Sequence, residues 1–292
     1  MYELLLFKNI KNNKKNITMS YKATAAEVSK LRNATGAGMM DSKKALEEAG
    51  GDFDKAVEVL RKQGQKVAAK RADRESTEGA VIAKVNAGHN KGVIIALGCE
   101  TDFVAKNEAF VQLAHDIADL ALNFDTKEDL LKADFNGISV EEKLIEQTGV
   151  IGEKIEIANF QTIEGFSLNG YIHAGNRIAA IVALSGEYEG AKEVAYDVAM
   201  QVAAMNPVAL DETQVAQSVI DTELAIAKEQ LAAEGKPENM IENIAKGKLQ
   251  KFFKENTLVH QASIKDGKTS VQDVVKAVNA DLKVTGFIRY SL

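Results

Sequence analysis

Glu100 and Asp102 are two carboxylates that stand two residues apart, an arrangement that could serve acid–base catalysis. Paired acids serve as general acid and base only when a nucleophile or a partner base converges on them, and none stands near them in the sequence. Cys99 precedes the pair, and nothing beside it would activate its thiol, so we expect a small buried apolar residue there. We therefore expect no catalytic residue and no enzymatic activity.

A large aromatic residue, Phe103, follows Asp102 directly. The two lie between an apolar run typical of a buried strand, Val93–Leu97, and an amphipathic helical pattern for which Asn107 is a plausible N-cap. An aromatic residue in such a polar connection has two interpretations. It folds under the loop into the core, or it stays exposed as a contact.

Histidine and glycine patterns predict neither a metal nor a cofactor. The four His and the single Cys lack metal-ligand spacing. Gly36 and Gly38 lack the other elements of a nucleotide-binding glycine motif. His173 stands at the end of an apolar run, close to Gly175, where a structural imidazole is the more common role.

The composition is that of a folded protein, with 292 residues, 46% hydrophobic residues and a net charge of −6. Negative charge disfavours non-specific nucleic-acid binding, and no apolar run reaches the roughly 20 residues of a membrane span. One cysteine excludes an internal disulfide and fits a reducing cytosol. We expect a cytoplasmic protein that binds neither nucleic acid nor membrane.

Residues 1–19 differ from the rest, because a short apolar run precedes a tract rich in Lys and Asn. The order is the reverse of a secretory signal, and the absence of Arg disfavours organelle targeting. We predict that Met19 is the native start and that the extension is not native. The alternative is a disordered tail.

Residues 20–75 are predicted to form a three-helix domain and a linker. Thr24 with Glu27 predicts a capping box for the first helix. Asp41 and Asp52 are the predicted N-caps of the second and third, and the third is expected to end at Gly64.

Two adjacent methionines, Met39 and Met40, stand at the start of the second predicted helix. One interpretation is that both fill the core of the three-helix domain. The other is that at least one of them is exposed as an adaptable contact with a partner, a role for which methionine is well suited.

An internal repeat organises the rest of the chain into halves 76–168 and 169–292. Residues 94–97 match 181–184 at a separation of 87 positions, and 115–118 match 196–199 at a separation of 81. Each half therefore reads as a β-hairpin followed by a helix. The six extra residues of the first half fall in the connection that contains Asp102 and Phe103. Because the second half does without them, we interpret this connection as functional.

The second half also contains a predicted antiparallel helical hairpin within 211–256. Ile220, Leu224, Ala227 and Leu231 have heptad spacing, and Gly235-Lys236-Pro237 provides a turn. Asp211 is the predicted start of its first helix. The expected fold class is α+β, with a three-helix domain followed by two related halves and a coiled-coil hairpin.

Four segments carry a resemblance to a known family. They are Leu31–Leu46, Thr101–Asn107, Tyr171–His173 with Arg177-Ile178, and Val284–Arg289. In order and in sequence they are similar to the bacterial elongation factor Ts family, which promotes nucleotide exchange on the GTPase elongation factor Tu. The resemblance runs from about residue 22 to the C-terminus.

The resemblance implies an N-terminal domain similar to ubiquitin-associated domains and assigns roles to residues. The residue at Phe103 would wedge into the GTPase domain beside its magnesium and phosphate site, and Asp102 would disturb the magnesium environment. Thr101 and Val104 belong to the same contact. Met39 and Met40 would contact the same GTPase domain, and the His173 region another part of elongation factor Tu.

Two departures from the family pattern stand out. The family usually has Glu and Asn where this chain has Ala96 and Gly98, and we expect Gly98 to loosen the strand exit. Relatives often continue past the last strand, whereas this sequence ends at Leu292. The competing interpretation is a non-catalytic protein-binding adaptor or chaperone-like scaffold, and the sequence leaves open a homodimer or a 2:2 complex.

Overall fold

The computed structural model describes residues 21–292, a mixture of helices and strands. The expectations for the extension 1–19 concern residues outside this range. The described residues divide into two compact units. The first comprises the residues up to Lys70 together with Ile145–Gly152, and the second comprises Arg71–Leu144 and Glu153–Leu292. The sequence did not indicate that residues 145–152 group with the N-terminal helices.

Three helices form most of the first unit: α1 (Ala25–Thr35), α2 (Met39–Glu48) and α3 (Phe53–Arg71). The predicted capping box is present, since the Thr24 hydroxyl accepts a bond from the Glu27 amide and the Glu27 carboxylate accepts one from the Thr24 amide. The buried members of its core are Val28, Leu31, Ala45, Leu46 and Ala56.

Two boundaries in the first unit differ from prediction. Gly38, not Asp41, is the N-cap of α2, and Asp41 lies in the first turn, where an acid still suits the helix dipole. The predicted end of α3 at Gly64 is wrong, because good helix formers follow it and the helix continues to Arg71. Gly64 is buried and lies close to Gly149, so its lack of a side chain serves packing.

The second unit contains two antiparallel three-stranded sheets. In the first sheet the order is β1 (Glu78–Val85), β2 (Lys91–Cys99) and β5 (Glu156–Glu164). Between β2 and β5 come α4 (Asp102–Ala105), α5 (Glu108–Ala121), α6 (Lys127–Lys132), a small hairpin of β3 (Asp134–Phe135) and β4 (Ile138–Ser139), and α7 (Val140–Ile151).

In the second sheet the order is β6 (Ser167–Ile172), β7 (Ile178–Leu184) and β8 (Val284–Ser291). Between β7 and β8 come α8 (Ala191–Met205), α9 (Gln217–Ala233), α10 (Glu238–Asn256) and α11 (Val271–Val278), with short 3₁₀ turns at Glu212–Gln214 and Leu258–His260.

The core of the second unit lies between the two sheets and beneath their helices. Alternate residues of the central strands share one cluster, with Ile94 and Ala96 of β2 packed with Ile181 and Ala183 of β7. The opposite face of β7 packs on α8. Both central strands are therefore buried on both faces, which explains their nearly continuous apolar sequence.

The two sheets share more than the repeated hairpin and helix. In each, a later strand pairs with the free edge of the central strand, and the register shifts at the same place, after Ala96 in β2 and after Ala183 in β7. In each case one residue of the third strand is skipped in the pairing, so a bulge lies at the equivalent position of both sheets. The third strands, β5 and β8, were not part of the repeat that the sequence revealed.

Helices α9 and α10 form the helical hairpin. Ala227, Leu231 and Ala245 are buried between them, and Lys228 pairs with Glu242 across the two helices at 3.1 Å. Asp211 does not start a long helix as predicted. Its side chain caps the 3₁₀ turn Glu212–Gln214, and α9 begins only at Gln217.

Candidate partner-binding site

The connection that carries Asp102 and Phe103 is a single helical turn rather than an open loop. β2 ends at Cys99, Thr101 precedes α4 as its N-cap, and Asn107 caps α5 by accepting a hydrogen bond from the Ala109 amide at 2.9 Å. The predicted cap at Asn107 is therefore confirmed. The second half has no helix at this point and reaches α8 through residues 185–190.

Phe103 projects from α4 with 84% of its surface exposed. The interpretation of Phe103 as a core residue folded under the loop is therefore wrong. Thr101, Asp102 and Val104 are half-buried, so the aromatic ring is the part of the turn that reaches furthest into solvent. An exposed ring of this size on a short turn is available to a partner.

One carboxylate fixes the start of α4. Glu153 accepts hydrogen bonds from the backbone amides of Glu100 and Thr101 at 3.1 and 3.0 Å, and from the Thr101 hydroxyl at 2.7 Å. The sequence contained no signal for this residue, because it stands about fifty positions further along the chain and matches no motif.

Glu100 is an anchor rather than half of an acid pair. Arg71 donates to both oxygens of its carboxylate at 2.7 and 2.8 Å, and the Lys154 amide donates to one of them at 2.7 Å. The bond from Lys154, followed by that from Arg71, holds the pKa of Glu100 below its usual value. With its oxygens occupied, this group is unsuited to proton transfer.

Asp102 is ionised and accessible. Its carboxylate accepts a hydrogen bond from Lys106 at 2.6 Å, which is the main cause of a lowered pKa. The Lys106 side chain is largely exposed and that of Asp102 is half-exposed, so the pair contributes little to stability, and Asp102 can exchange Lys106 for another cation.

Cys99 is fully buried at the end of β2. Burial raises the pKa of its thiol to about 12, and the sulfur donates to the Thr101 carbonyl at 3.2 Å. A protonated, enclosed thiol is not a nucleophile, which agrees with the expected role as a small buried residue.

Gly98, which we expected to loosen the exit of the strand, is regularly paired there, and the loosening itself stays a prediction. It pairs with Gly79 of β1 on one side and with Glu156 of β5 on the other. A Cβ at this position would lie 2.9 Å from the Cβ of Ser76. The absence of a side chain therefore permits close packing at the base of α4.

Met39 and Met40 lie at the start of α2, each 62% exposed. The interpretation that both fill the core is wrong. They line a shallow cavity of about 340 Å³ beside α1, whose other residues include Arg32 and Lys43. These methionines belong to the first unit, whereas α4 belongs to the second.

His173 lies in the turn between β6 and β7 and is exposed, with its Nδ1 within 3.0 Å of the Tyr171 hydroxyl. Arg177, in the same turn, forms an ion pair with Glu78, and Glu78 pairs with Cys99 across β1 and β2. The structure therefore brings the His173 turn to the same end of the second unit as α4.

Two other kinds of site, a metal centre and a membrane-spanning helix, can be assessed for residues 21–292. Within that range no three His, Cys, Asp or Glu side chains are grouped so as to hold a metal ion. None of the helices that the structure describes combines the length and the apolar character needed to cross a membrane.

Comparison with known proteins decides the family. The family model described as "Elongation factor TS" matches residues 100–292, which begin at Glu100, just before α4, and include β5 and β8. The chain belongs to the elongation factor Ts family. The elongation factor Ts of Christiangramia forsetii is 64% identical over 271 residues, 93% of this chain and 99% of the relative. That of Flavobacterium psychrophilum is 61% identical over 269 residues, 92% and 98% respectively.

The resemblance inferred from the sequence motifs is thereby confirmed. As a member of the elongation factor Ts family, the chain is a guanine nucleotide exchange factor of translation elongation, and elongation factor Tu is its partner.

Proposed function

We propose that Asp102 and Phe103 on α4 carry out the exchange function by acting on the magnesium and phosphate site of elongation factor Tu. The observation that supports this most directly is the 84% exposure of Phe103 on a turn that side chains from elsewhere in the unit hold in place. Burying such a ring in a partner contributes about 2–3 kcal/mol of binding free energy.

Exchange by this route follows from thermodynamic linkage. A factor that binds the GTPase more tightly without GDP weakens GDP binding by the same ratio. Phe103 supplies the required difference if its ring fits only the form of the GTPase in which the nucleotide site is distorted. Release of GDP then allows GTP to bind.

Asp102 acts through charge beside the wedge. Magnesium neutralises nucleotide phosphates, so a change in its surroundings weakens nucleotide binding. The carboxylate is ionised, and leaving Lys106 costs little, since the ion pair between them is exposed. It can therefore turn toward a ligand of the metal or a cation of the partner.

The remaining contacts divide between the two units. We propose that Met39 and Met40, with the cavity beside them, contact the GTPase domain, and that the first unit is a ubiquitin-associated-like domain. His173 would contact another part of elongation factor Tu, and α9 with α10 would act as a coiled coil. Exchange needs no bond to be made in this chain, so we propose no catalytic residue and activity in the cytoplasm.

Replacement of Phe103 by Ala tests the wedge. We expect several-fold slower release of fluorescent GDP from elongation factor Tu in stopped-flow measurements at substoichiometric factor, because the differential contact is lost. Thermal stability should hardly change, since the ring is exposed.

Phe166→Ala is the matched control. Phe166 is also exposed, at 64%, but it follows β5 at the end of the sheet opposite α4. Unchanged GDP release by Phe103→Ala, or equal slowing by both variants, would contradict the wedge role and favour an adaptor that merely binds.

A further inference from the structure

We propose that Glu153 is a positioning residue for Phe103, and that its carboxylate sets the orientation of α4 needed for exchange. The proposal rests on the wedge function of Phe103. Glu153 itself is half-buried behind the turn and need not touch the partner.

Turn α4 cannot hold its own geometry. It has four residues, too few for a helix to be stable alone. The Thr101 side chain makes no capping bond to the turn, and its hydroxyl donates to Glu153. The orientation of the turn is therefore set from outside.

Glu153 supplies that outside support with both oxygens. One oxygen accepts hydrogen bonds from the backbone amides of Glu100 and Thr101, the two residues before α4, and the other accepts one from the Thr101 hydroxyl. Hydrogen bonds to a charged acceptor are among the stronger ones in proteins, and three that converge on two neighbouring residues leave the backbone little freedom.

The support is reciprocal. While the Glu153 side chain binds the backbone at 100–101, the backbone of its neighbour Lys154 binds the Glu100 side chain at 2.7 Å. Two residues later β5 begins, with Glu156 paired to Gly98. The segment that holds α4 is thus itself fixed to the central strand of the sheet, so Phe103 is placed relative to the rigid part of the unit.

Glu153→Ala should lower the plateau rate of GDP release several-fold, because the ring is then no longer held in the geometry that exchange needs. The concentration for half-maximal rate should change less, since the other partner contacts are intact. Glu153→Gln should restore most of the rate, because its amide oxygen can still accept the two backbone amides.

A double variant separates positioning from stability. In the Phe103→Ala background, Glu153→Ala should cause little further slowing, because both changes act through one ring. Hydrogen exchange of the Glu100 and Thr101 amides should become faster in Glu153→Ala. Glu156→Ala is the matched control, since it removes a carboxylate from the same segment whose side chain pairs with Lys154. It should leave the rate of GDP release nearly unchanged.

The outcomes distinguish the two proposals. If Phe103→Ala slows release and Glu153→Ala does not, or if the two losses add fully, Glu153 does not position the wedge. If Phe103→Ala itself has no effect, the proposed wedge function of Phe103 is wrong, and the role of Glu153 that rests on it is wrong as well. Slowing by Glu153→Ala that Glu153→Gln does not relieve would also contradict positioning by these hydrogen bonds.

Discussion

Cys99 and Phe103 stand four residues apart and have opposite surroundings. The cysteine is fully buried at the end of β2, whereas the aromatic ring is 84% exposed on α4. Both residue types are commonly buried in folded proteins. The difference arises because the strand ends between two partner strands, while the turn that follows is held by polar bonds to its backbone and projects its side chains outward.

Glu27 offers a residue-scale test by pH. Bonds from Thr24, then from Tyr21, lower its pKa from 4.5 to about 2. Because the folded pKa is depressed, the stabilisation is present above pH 4.5 and is lost as pH falls toward 2. We expect NMR titration of the Glu27 carboxyl to show this depressed midpoint.

The Glu27→Gln variant provides the control. It should flatten the part of the stability profile of the first unit that falls between pH 4.5 and about 2. An NMR midpoint near 4.5 in the folded protein would show that the capping box does not form in solution.

At the scale of elements, the strand that leads to α4 depends on close backbone contact. Gly79 of β1 faces Gly98 of β2, and a Cβ at Gly79 would lie 2.1 Å from the Leu97 carbonyl oxygen. Its φ of 153° also suits glycine alone. Two glycines from different strands thus allow β1 to approach the base of the site.

Gly79→Ala should therefore destabilise the second unit by more than about 2 kcal/mol in chemical denaturation, since it combines overpacking with backbone strain. Gly137→Ala is the control, because Gly137 also has positive φ, at 92°, but has no atom within 4 Å of the added Cβ. Its cost should be about 1 kcal/mol. Equal costs would show that the backbone contact is unimportant.

At the scale of the whole molecule, the helical hairpin is packed separately from the sheets. Its buried cluster of Ala227, Leu231 and Ala245 is distinct from the clusters between and beneath the sheets. The chain on either side of it is tied back, since the Val208 amide bonds to Asn256 and Ala209 bridges to Thr257.

Replacing residues 220–252 by a short Gly-Ser linker should leave the two-sheet unit folded, with a melting temperature within a few degrees of the parent by calorimetry. Leu168→Ala is the positive control. It empties a fully buried site between the sheets and should cost about 2–5 kcal/mol. Loss of the cooperative transition on hairpin replacement would show that the hairpin stabilises the sheets.

The sequence by itself determined most of the periodic elements and pointed to the place of the candidate site. Thr24 and Glu27 predicted a helix start because capping is local. The unequal spacing of the repeat pointed to the connection at Asp102 and Phe103. The motif Thr101–Asn107 in this connection indicated the elongation factor Ts family, and comparison with relatives confirmed that family over nearly the whole chain.

Only the tertiary structure decided which residues hold that site in place. Glu153 and Arg71 reach residues 100–101, just before α4, from distant parts of the chain, and Gly79 meets Gly98 across two strands. Residues 145–152 group with the N-terminal unit, although the chain on both sides of them belongs to the second unit. Such contacts leave no periodic or local pattern in the sequence. They form where the folded backbone brings distant residues together, and the spacing of residues along the chain does not show where that happens.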